Sequence, residues 1–139
     1  MSTDKISVWE GEWKKGNTSF HLPNPNPKLL DNLDILLGRD DASESPKTVL
    51  VPLCGKTKDL IHLHSLGHNV VGVEWIEQAC LEFFKENNLT YSKRPLEGVD
   101  GYLYTVSWIN YKLGRAAMTI NCFSPMTGGY ECSNVISFT

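Results

Sequence analysis

A glycine and a glutamate in the middle of the chain, Gly55 and Glu74, have types and a spacing that could bind a nucleoside. Each stands at the end of a short apolar run. In nucleotide-binding α/β folds, an acidic residue about 20 positions after the loop glycine accepts hydrogen bonds from ribose hydroxyls. Glu74 follows Gly55 by 19 positions, and its two oxygens match two vicinal hydroxyls, which predicts an adenosine-like ligand. The spacing alone also allows a simple turn at Gly55 and a surface carboxylate at Glu74.

The loop around Gly55, with the sequence PLCGKT, narrows the class of ligand. Its Gly55-Lys56-Thr57 matches the end of the Walker phosphate-binding pattern, but Leu50 stands where that pattern needs its first glycine. A dinucleotide site needs G-x-G-x-x-G so that a pyrophosphate can approach bare backbone, and this loop has one glycine. A nucleoside without pyrophosphate therefore fits better than NAD or FAD. S-adenosylmethionine is the common cofactor of that shape.

The sequence around this loop predicts the elements that must position it. Residues 49–51 are a continuous apolar run that favours a strand covered on both faces. Leucines over residues 56–66 predict a helix that Gly67 ends, and residues 69–74 predict a second strand. Apolar positions over residues 76–84 predict an amphipathic helix. This order is typical of a doubly wound, Rossmann-like α/β sheet, in which ligands bind beyond the carboxyl ends of the strands.

Composition and charge exclude several classes of function. The chain has 139 residues, 41% of them hydrophobic, and 13 basic against 16 acidic residues give a formal net charge of −3. Proteins that bind nucleic-acid backbone usually carry an excess of lysine and arginine, so we expect no nucleic-acid partner. The first 15 residues contain no apolar run of the kind that a signal peptide needs, and no segment approaches the roughly 18 apolar residues of a membrane helix. The sequence predicts one cytoplasmic globular domain without a membrane partner, and it does not indicate an oligomeric state.

The cysteines and histidines indicate neither metal binding nor covalent catalysis. No two cysteines have C-x-x-C spacing, which favours reduced thiols in a reducing compartment. His64 and His68 are four positions apart, but Gly67 is expected to end their helix first, and no third ligand lies nearby. We therefore expect no metal site. The four cysteines are Cys54, Cys80, Cys122 and Cys132.

Four phrases of the sequence closely resemble the thiopurine S-methyltransferase family. They are WEGEWKKGNTSFH at residues 9–21, VPLCGK at 51–56, GHNVVGVE at 67–74 and EFFKENNLTYS at 82–92. The similarity runs from about residue 9 to residue 95, and separate motifs in the same order argue against a chance match. The resemblance implies a cytosolic enzyme that moves the methyl group of S-adenosylmethionine to the sulfur of aromatic and heterocyclic thiols, including thiopurines.

The resemblance also implies five site residues. Trp9 matches the N-terminal tryptophan that covers the cofactor in the family, and Phe20 matches the phenylalanine beside cofactor and substrate. Leu53 and Gly55 match the loop whose backbone holds the amino-acid end of the cofactor. Glu74 matches the residue that binds the ribose, in agreement with its spacing from Gly55.

Methyl transfer to sulfur needs few catalytic side chains. It is an in-line displacement at a sulfonium, so the enzyme mainly aligns the reacting atoms in a dry pocket. Trp9 and Phe20 can exclude water, stack on a flat heterocycle and contact the sulfonium charge, a cation–π interaction of about 0.5–2 kcal/mol. We therefore predict no catalytic acid, base or nucleophile. Trp13 is interpreted as a core residue of an amphipathic helix, and Cys54 as a small buried filler.

Beyond about Tyr104 the sequence departs from the family. Residues 105–139 do not resemble the remaining strands, the adenine-contacting loop and the far pocket wall that the family has there. We interpret residues 1–28 as an N-terminal aromatic lid segment and residues 29–104 as the N-terminal half of a Rossmann-like methyltransferase domain. Residues 105–139 are interpreted as a divergent tail. The expected fold is therefore incomplete at its C-terminus.

This departure leaves a second function open, a truncated non-catalytic fragment that binds the cofactor or acts as an interaction module. A sheet that stops after two or three strands exposes an apolar edge. We then expect marginal folding, soluble aggregates and weak or absent thiol methylation, because alignment of the substrates would be lost. Residues 117–120 could add a strand, although the glycine, serine and asparagine content of the tail argues against another buried layer.

Overall fold

The computed structural model describes residues 3–38, 45–107 and 118–123 of the chain. Ala117 and Cys132, on which the sequence made predictions, lie outside these ranges. Among the described helices, none has the length and apolar character needed to cross a membrane. In chain order the elements are α1 (Thr3–Lys15), α2 (Pro27–Asp31), α3 (Leu33–Leu37), β1 (Thr48–Pro52), α4 (Asp59–Ser65), β2 (Asn69–Glu74), α5 (Glu77–Glu86), β3 (Thr90–Pro95), β4 (Gly101–Ser107) and β5 (Met118–Phe123).

The strands form one mixed sheet in the order β1-β2-β5-β4-β3. β1, β2 and β5 run parallel, whereas β4 is antiparallel to both β5 and β3. The predicted α/β class is confirmed, and the sheet is consistent with a Rossmann-like methyltransferase fold. Pro52 pairs with Val73 and Glu74 pairs with Cys122, so the carboxyl ends of the three parallel strands lie at the same edge.

β1 lies at the edge of this sheet. Its ladder partner among the described residues is β2, and Leu50 is 54% exposed while Val49 is buried. The prediction of a strand covered on both faces was therefore wrong for β1. An apolar run does not distinguish a central strand from an edge strand with one covered face, because the side chains of an edge strand still alternate between the two faces.

β5 fills the middle of the sheet with residues of the predicted tail. It pairs with β2 on one side and with β4 on the other. Met118 and Ile120 are fully buried, and Cys122 is nearly so. The tail thus adds a strand where residues 117–120 suggested one, and this strand is buried, so the composition argument against further buried structure in the tail was wrong here. The reason is local: every second residue of β5 is apolar, and these residues all face the core.

The core lies between the sheet and the helices α4 and α5. α5 confirms the amphipathic helix predicted over residues 76–84, since one of its faces is buried against β2 and β5. α4 begins at Asp59, later than predicted, because Thr57 donates its backbone N–H to the Cys54 carbonyl and so remains in the loop. The helical residues of this core are Leu60, Leu63, Cys80, Phe83 and Phe84.

α1 packs against the start of α5. Trp13 is buried with Ile76 and Ala79, and Gln78 Nε2 donates a hydrogen bond to the Trp13 carbonyl at 3.0 Å. Trp13 is 4% exposed, which confirms its interpretation as a core residue. The contact places the rest of α1 beside the carboxyl end of β2, which ends at Glu74.

Candidate functional site

The candidate site lies at the carboxyl ends of β1 and β2. Gly55 donates its backbone N–H to Glu74 Oε2 at 2.6 Å, and Cys54 donates its backbone N–H to the Val73 carbonyl at 3.0 Å. These two bonds join the loop after β1 to the end of the neighbouring parallel strand. The glycine and the glutamate that the spacing singled out are therefore in direct contact.

The Glu74 carboxylate is buried and almost saturated with hydrogen bonds. It is 6% exposed, and its Oε1 accepts the backbone N–H of Trp75 at 2.6 Å and that of Ile76 at 2.8 Å. The alternative of a surface carboxylate was wrong. A carboxylate has about four acceptor positions, so with the Gly55 bond one position on Oε2 remains. In this arrangement Glu74 can accept one ribose hydroxyl, and a second would require one backbone bond to open.

The loop between β1 and α4 has an uncommon backbone conformation. Leu53 has φ of 49° and Gly55 has φ of 51°. A non-glycine residue in this left-handed region costs about 1–3 kcal/mol and occurs most often at functional sites. The Leu53 side chain is 66% exposed, so its own burial does not offset this strain. The backbone of the loop is therefore its candidate ligand-binding group.

Three aromatic side chains, Trp9, Trp13 and Phe20, form what we call the aromatic wall. The rings of Trp9 and Phe20 meet edge to face with centroids 5.7 Å apart, and those of Trp13 and Phe20 with centroids 6.3 Å apart. Such contacts contribute about 0.5–1.5 kcal/mol beyond burial. Trp9 is 47% exposed and Phe20 53%, so both keep apolar surface that a ligand could cover.

His21 connects the aromatic wall to the loop. Its ring lies 4.5 Å from that of Phe20 and 5.2 Å from that of Trp13, and its Nε2 accepts the backbone N–H of Lys56 at 3.2 Å. A Cβ atom on Gly55 would lie 2.4 Å from Nε2, so position 55 needs glycine for space as well as for its positive φ. Burial lowers the pKa of His21 below its ordinary value of 6.5, which favours the neutral ring.

Lys56 is held by carboxylates of α5. Its Nζ lies 2.9 Å from Glu82 Oε2 and 2.7 Å from Glu86 Oε1. Partial burial lowers the pKa of Lys56, but the hydrogen bonds with Glu86 and Glu82 outweigh it and raise this pKa above 10.5. The lysine of Gly-Lys-Thr therefore anchors the loop to α5, in keeping with the sequence argument against a Walker site.

Cys54 lies in the loop but is inert. It is 4% exposed, and burial, with the nearby Glu74 charge, raises the pKa of its thiol well above the usual range. The nucleophilic form of cysteine is the thiolate, so Cys54 is unsuited to covalent catalysis. Its Sγ would lie 2.9 Å from a Cβ on Gly72, which supports its interpretation as a small buried filler.

The aromatic wall, the loop and the end of β2 line a cavity of about 330 Å³. This volume is at the lower end of the roughly 300–1,000 Å³ typical of small-molecule sites. The structure brings all five residues implied by the resemblance to this cavity: Trp9, Phe20, Leu53, Gly55 and Glu74. Sequence reasoning missed four further lining residues, which are Trp13, His21, Trp75 and Ile76.

Two of the missed residues carried a signal in the sequence. Trp75 directly follows Glu74, and His21 ends the first phrase that resembles the family. Trp13 lies in the same phrase, but its helical spacing from Trp9 predicted only that it is buried and not that it lines a cavity. Among the described residues, Trp75 Nε1 is buried without a hydrogen-bond partner.

Comparisons with known proteins agree with the geometry. The family model for thiopurine S-methyltransferase matches residues 4–110. Thiopurine S-methyltransferase of Equus caballus is 40% identical over 96 residues, which are 69% of this chain and 38% of that protein. Thiopurine S-methyltransferase of Pseudomonas fluorescens (strain SBW25) is 48% identical over 82 residues, which are 59% of this chain and 35% of that protein. The chain thus spans well under half the length of these curated relatives.

Proposed function

This chain belongs to the thiopurine S-methyltransferase family, and we propose that it acts in the transfer of a methyl group from S-adenosylmethionine to the sulfur of an aromatic or heterocyclic thiol. One observation carries the proposal: Gly55, Glu74, Trp9 and Phe20 line a single cavity at the carboxyl ends of parallel strands. Open α/β sheets bind nucleosides at that edge. The cytoplasmic location stays a prediction from the sequence.

The cavity residues fit S-adenosylmethionine. Glu74 has one open acceptor position, which suits a ribose hydroxyl. The backbone at Leu53 and Gly55, in left-handed conformation, is the candidate partner of the polar amino-acid end. Trp9 and Phe20 offer half-exposed aromatic surface to the sulfonium and to a flat substrate. These are the roles that the resemblance implies, and each is part of the proposal.

In this reaction the chain has to align the thiol with the methyl group and to exclude water from the reacting atoms. S-adenosylmethionine, when bound, supplies an electrophilic methyl group. Trp9 and Phe20 would cover the reacting atoms and keep the thiol in line, a geometric effect that can lower a barrier by several kcal/mol. The buried thiol of Cys54 stays protonated, so it offers no competing nucleophile. That the site needs no catalytic acid, base or nucleophile stays a prediction from the sequence.

Two measurements on the same preparation test the proposal. One is the transfer of radiolabelled methyl from S-adenosylmethionine to thiophenol, and the other is calorimetric titration with the demethylated product, S-adenosylhomocysteine. We expect binding and transfer, both reduced in Glu74→Ala. Binding without transfer would instead support the second candidate, a cofactor-binding module without catalysis, which the names of the relatives do not favour. Absence of both would refute the proposal.

A further inference from the structure

We propose that His21 is a positioning residue of this site, whose neutral imidazole fixes the aromatic wall against the Gly55 loop and whose protonation releases the wall. The inference rests on the proposed function in one respect, that the wall covers a bound cofactor. It concerns a residue that the sequence did not single out. Its basis is the set of contacts that the imidazole makes on both sides.

The imidazole touches both parts that must stay together. On the loop side, Nε2 accepts the Lys56 backbone N–H, and the ring occupies the space that a side chain at Gly55 would fill. On the wall side, the ring packs on Phe20 and Trp13. His21 also follows Phe20 directly in the chain, so Phe20 loses one of its ring contacts when the imidazole leaves the loop.

Protonation breaks the loop contact. Because Nε2 accepts the Lys56 N–H, the proton of the neutral ring is on Nδ1. A second proton on Nε2 would put two donors face to face and remove the hydrogen bond. The Lys56 ammonium also disfavours a charged ring, while the carboxylates of Glu74, Glu82 and Glu86 favour it. Burial outweighs these carboxylates, so the docked ring is held neutral.

The sign of the pH dependence follows from linkage. The docked ring has a pKa below 6.5, and a ring released into water regains the ordinary value of about 6.5. Docking is therefore fully favourable above pH 6.5 and is lost as the pH falls below it. The equilibrium constant for release of the ring would therefore be larger at pH 5.5 than at pH 8, by up to about tenfold. This limit is reached when only the released form takes up the proton.

The docked position is also weakly held. Nδ1 is buried and has no hydrogen-bond partner among the described residues. The nearby Thr18 backbone only partly opposes the effect of burial on the pKa of His21. An unsatisfied buried donor is unfavourable. The Nε2 bond and the ring contacts must offset it, so loss of the Nε2 bond weakens the docked position.

A matched pair of variants separates this role from general effects of histidine. His21→Gln keeps an acceptor near the position of Nε2 and removes the titration. His68 makes the same kind of bond at the opposite end of the parallel strands, where its Nδ1 accepts the Lys47 backbone N–H at 3.1 Å. His68→Asn is therefore the control. Both variants are compared with the unmodified chain at pH 8 and pH 5.5.

The first readout is amide hydrogen exchange of the ligand-free protein, corrected for the intrinsic pH dependence of exchange. We expect protection over residues 9–21 to fall at pH 5.5 in the unmodified chain and in His68→Asn, and to stay constant in His21→Gln. Protection of α5 should not change. A fall in His21→Gln equal to that of the unmodified chain, or a parallel fall across α5, would overturn the proposal.

The second readout is the Kd of S-adenosylhomocysteine at the same two pH values. We expect it to rise at pH 5.5, by up to about tenfold, in the unmodified chain and in His68→Asn, and the ratio to stay near one in His21→Gln. A rise in His21→Gln equal to that of the unmodified chain would overturn the role of His21 and leave the proposed function intact. No binding at pH 8, together with the expected exchange pattern, would refute the proposed function and leave the role of His21 standing.

Discussion

At the scale of single residues, the carboxylate of Glu74 has two roles. It satisfies three backbone N–H groups, those of Gly55, Trp75 and Ile76, and it lines the cavity. The three hydrogen bonds fix the loop that forms the site, and the remaining acceptor position is available to a ligand in the cavity. A substitution at Glu74 should therefore change folding stability and ligand affinity together.

Glu74→Ala tests this double role. We expect the free energy of unfolding to fall by about 1–3 kcal/mol, because backbone donors lose a charged acceptor. We also expect the affinity for S-adenosylhomocysteine to fall by about 1.5–3 kcal/mol. Urea unfolding and calorimetry measure the two effects. Asp31→Ala, which removes an exposed carboxylate on α2, is the control and should change neither. An unchanged Kd in folded Glu74→Ala would remove Glu74 from the site.

Gly55 and Gly67 form a second matched pair. Both have positive φ, 51° and 91°, but a Cβ at Gly55 would collide with His21, whereas one at Gly67 would meet no atom within 4 Å. Each change to alanine should lower the free energy of unfolding by about 1–2 kcal/mol through backbone strain. Gly55→Ala should lower it further and weaken S-adenosylhomocysteine binding. If Gly55→Ala and Gly67→Ala lost the same free energy of unfolding and bound S-adenosylhomocysteine equally well, crowding by His21 would be unimportant.

At the scale of elements, the sequence predicted helices and strands well where one face is apolar. The periodic spacing over residues 76–84 predicted α5, and the apolar run of residues 69–74 predicted β2. It did not predict the start of α4, because a turn at Cys54 to Thr57 keeps helix-compatible residues in the loop. Periodicity could not show that α1 contributes to the cavity, because that depends on the tertiary contact of Trp13 with Gln78; only the family resemblance implied it, through Trp9.

α1 carries two tryptophans with different roles. Trp13 is 4% exposed in the core, and Trp9 is 47% exposed at the cavity. Trp13→Ala should lower the free energy of unfolding by about 3–5 kcal/mol, as for other large aromatic side chains removed from a core. Trp9→Ala should lower it by much less and mainly weaken S-adenosylhomocysteine binding. Thermal unfolding and calorimetry of both variants test this division, and equal loss of stability in the two would contradict it.

The segment that bears the aromatic wall should become more ordered when the cavity is filled. Trp9 and Phe20 are half exposed without ligand, and a cofactor beneath them would bury that surface. Hydrogen exchange over residues 9–21 should therefore slow at saturating S-adenosylhomocysteine, whereas exchange in β3, away from the cavity, should not. Equal exchange with and without ligand would show that the segment is not a lid.

At the scale of the whole molecule, β5 decides the architecture. It joins the parallel pair β1-β2 to the antiparallel pair β3-β4, and its residues lie in the region where the sequence departs from the family. The family resemblance gave no information there, so strand order could not be predicted. The local signal for β5 was the apolar residue at every second position, Met118, Ile120 and Cys122. A strand this short does not show by that pattern whether it lies at the edge or in the centre of a sheet.

Ile120→Ala tests the central position of β5. Ile120 is fully buried, and its Cγ1 would lie 3.2 Å from a Cβ on Gly72 in β2. The change should lower the free energy of unfolding by about 2–5 kcal/mol. Because β5 joins both halves of the sheet, fluorescence and circular dichroism should report the same shifted transition. A loss below about 0.5 kcal/mol, typical of surface substitutions, would contradict a central β5.

The most direct test of the account is whether the cavity prefers an S-adenosyl ligand to a dinucleotide. Calorimetric titration of the unmodified chain at pH 8 compares S-adenosylhomocysteine with NAD, and a competition titration orders the two. We predict saturable binding of S-adenosylhomocysteine that NAD does not displace, because the loop has one glycine where a dinucleotide site needs several for its pyrophosphate. Tighter binding of NAD, or no binding of S-adenosylhomocysteine, would contradict the assignment of this cavity.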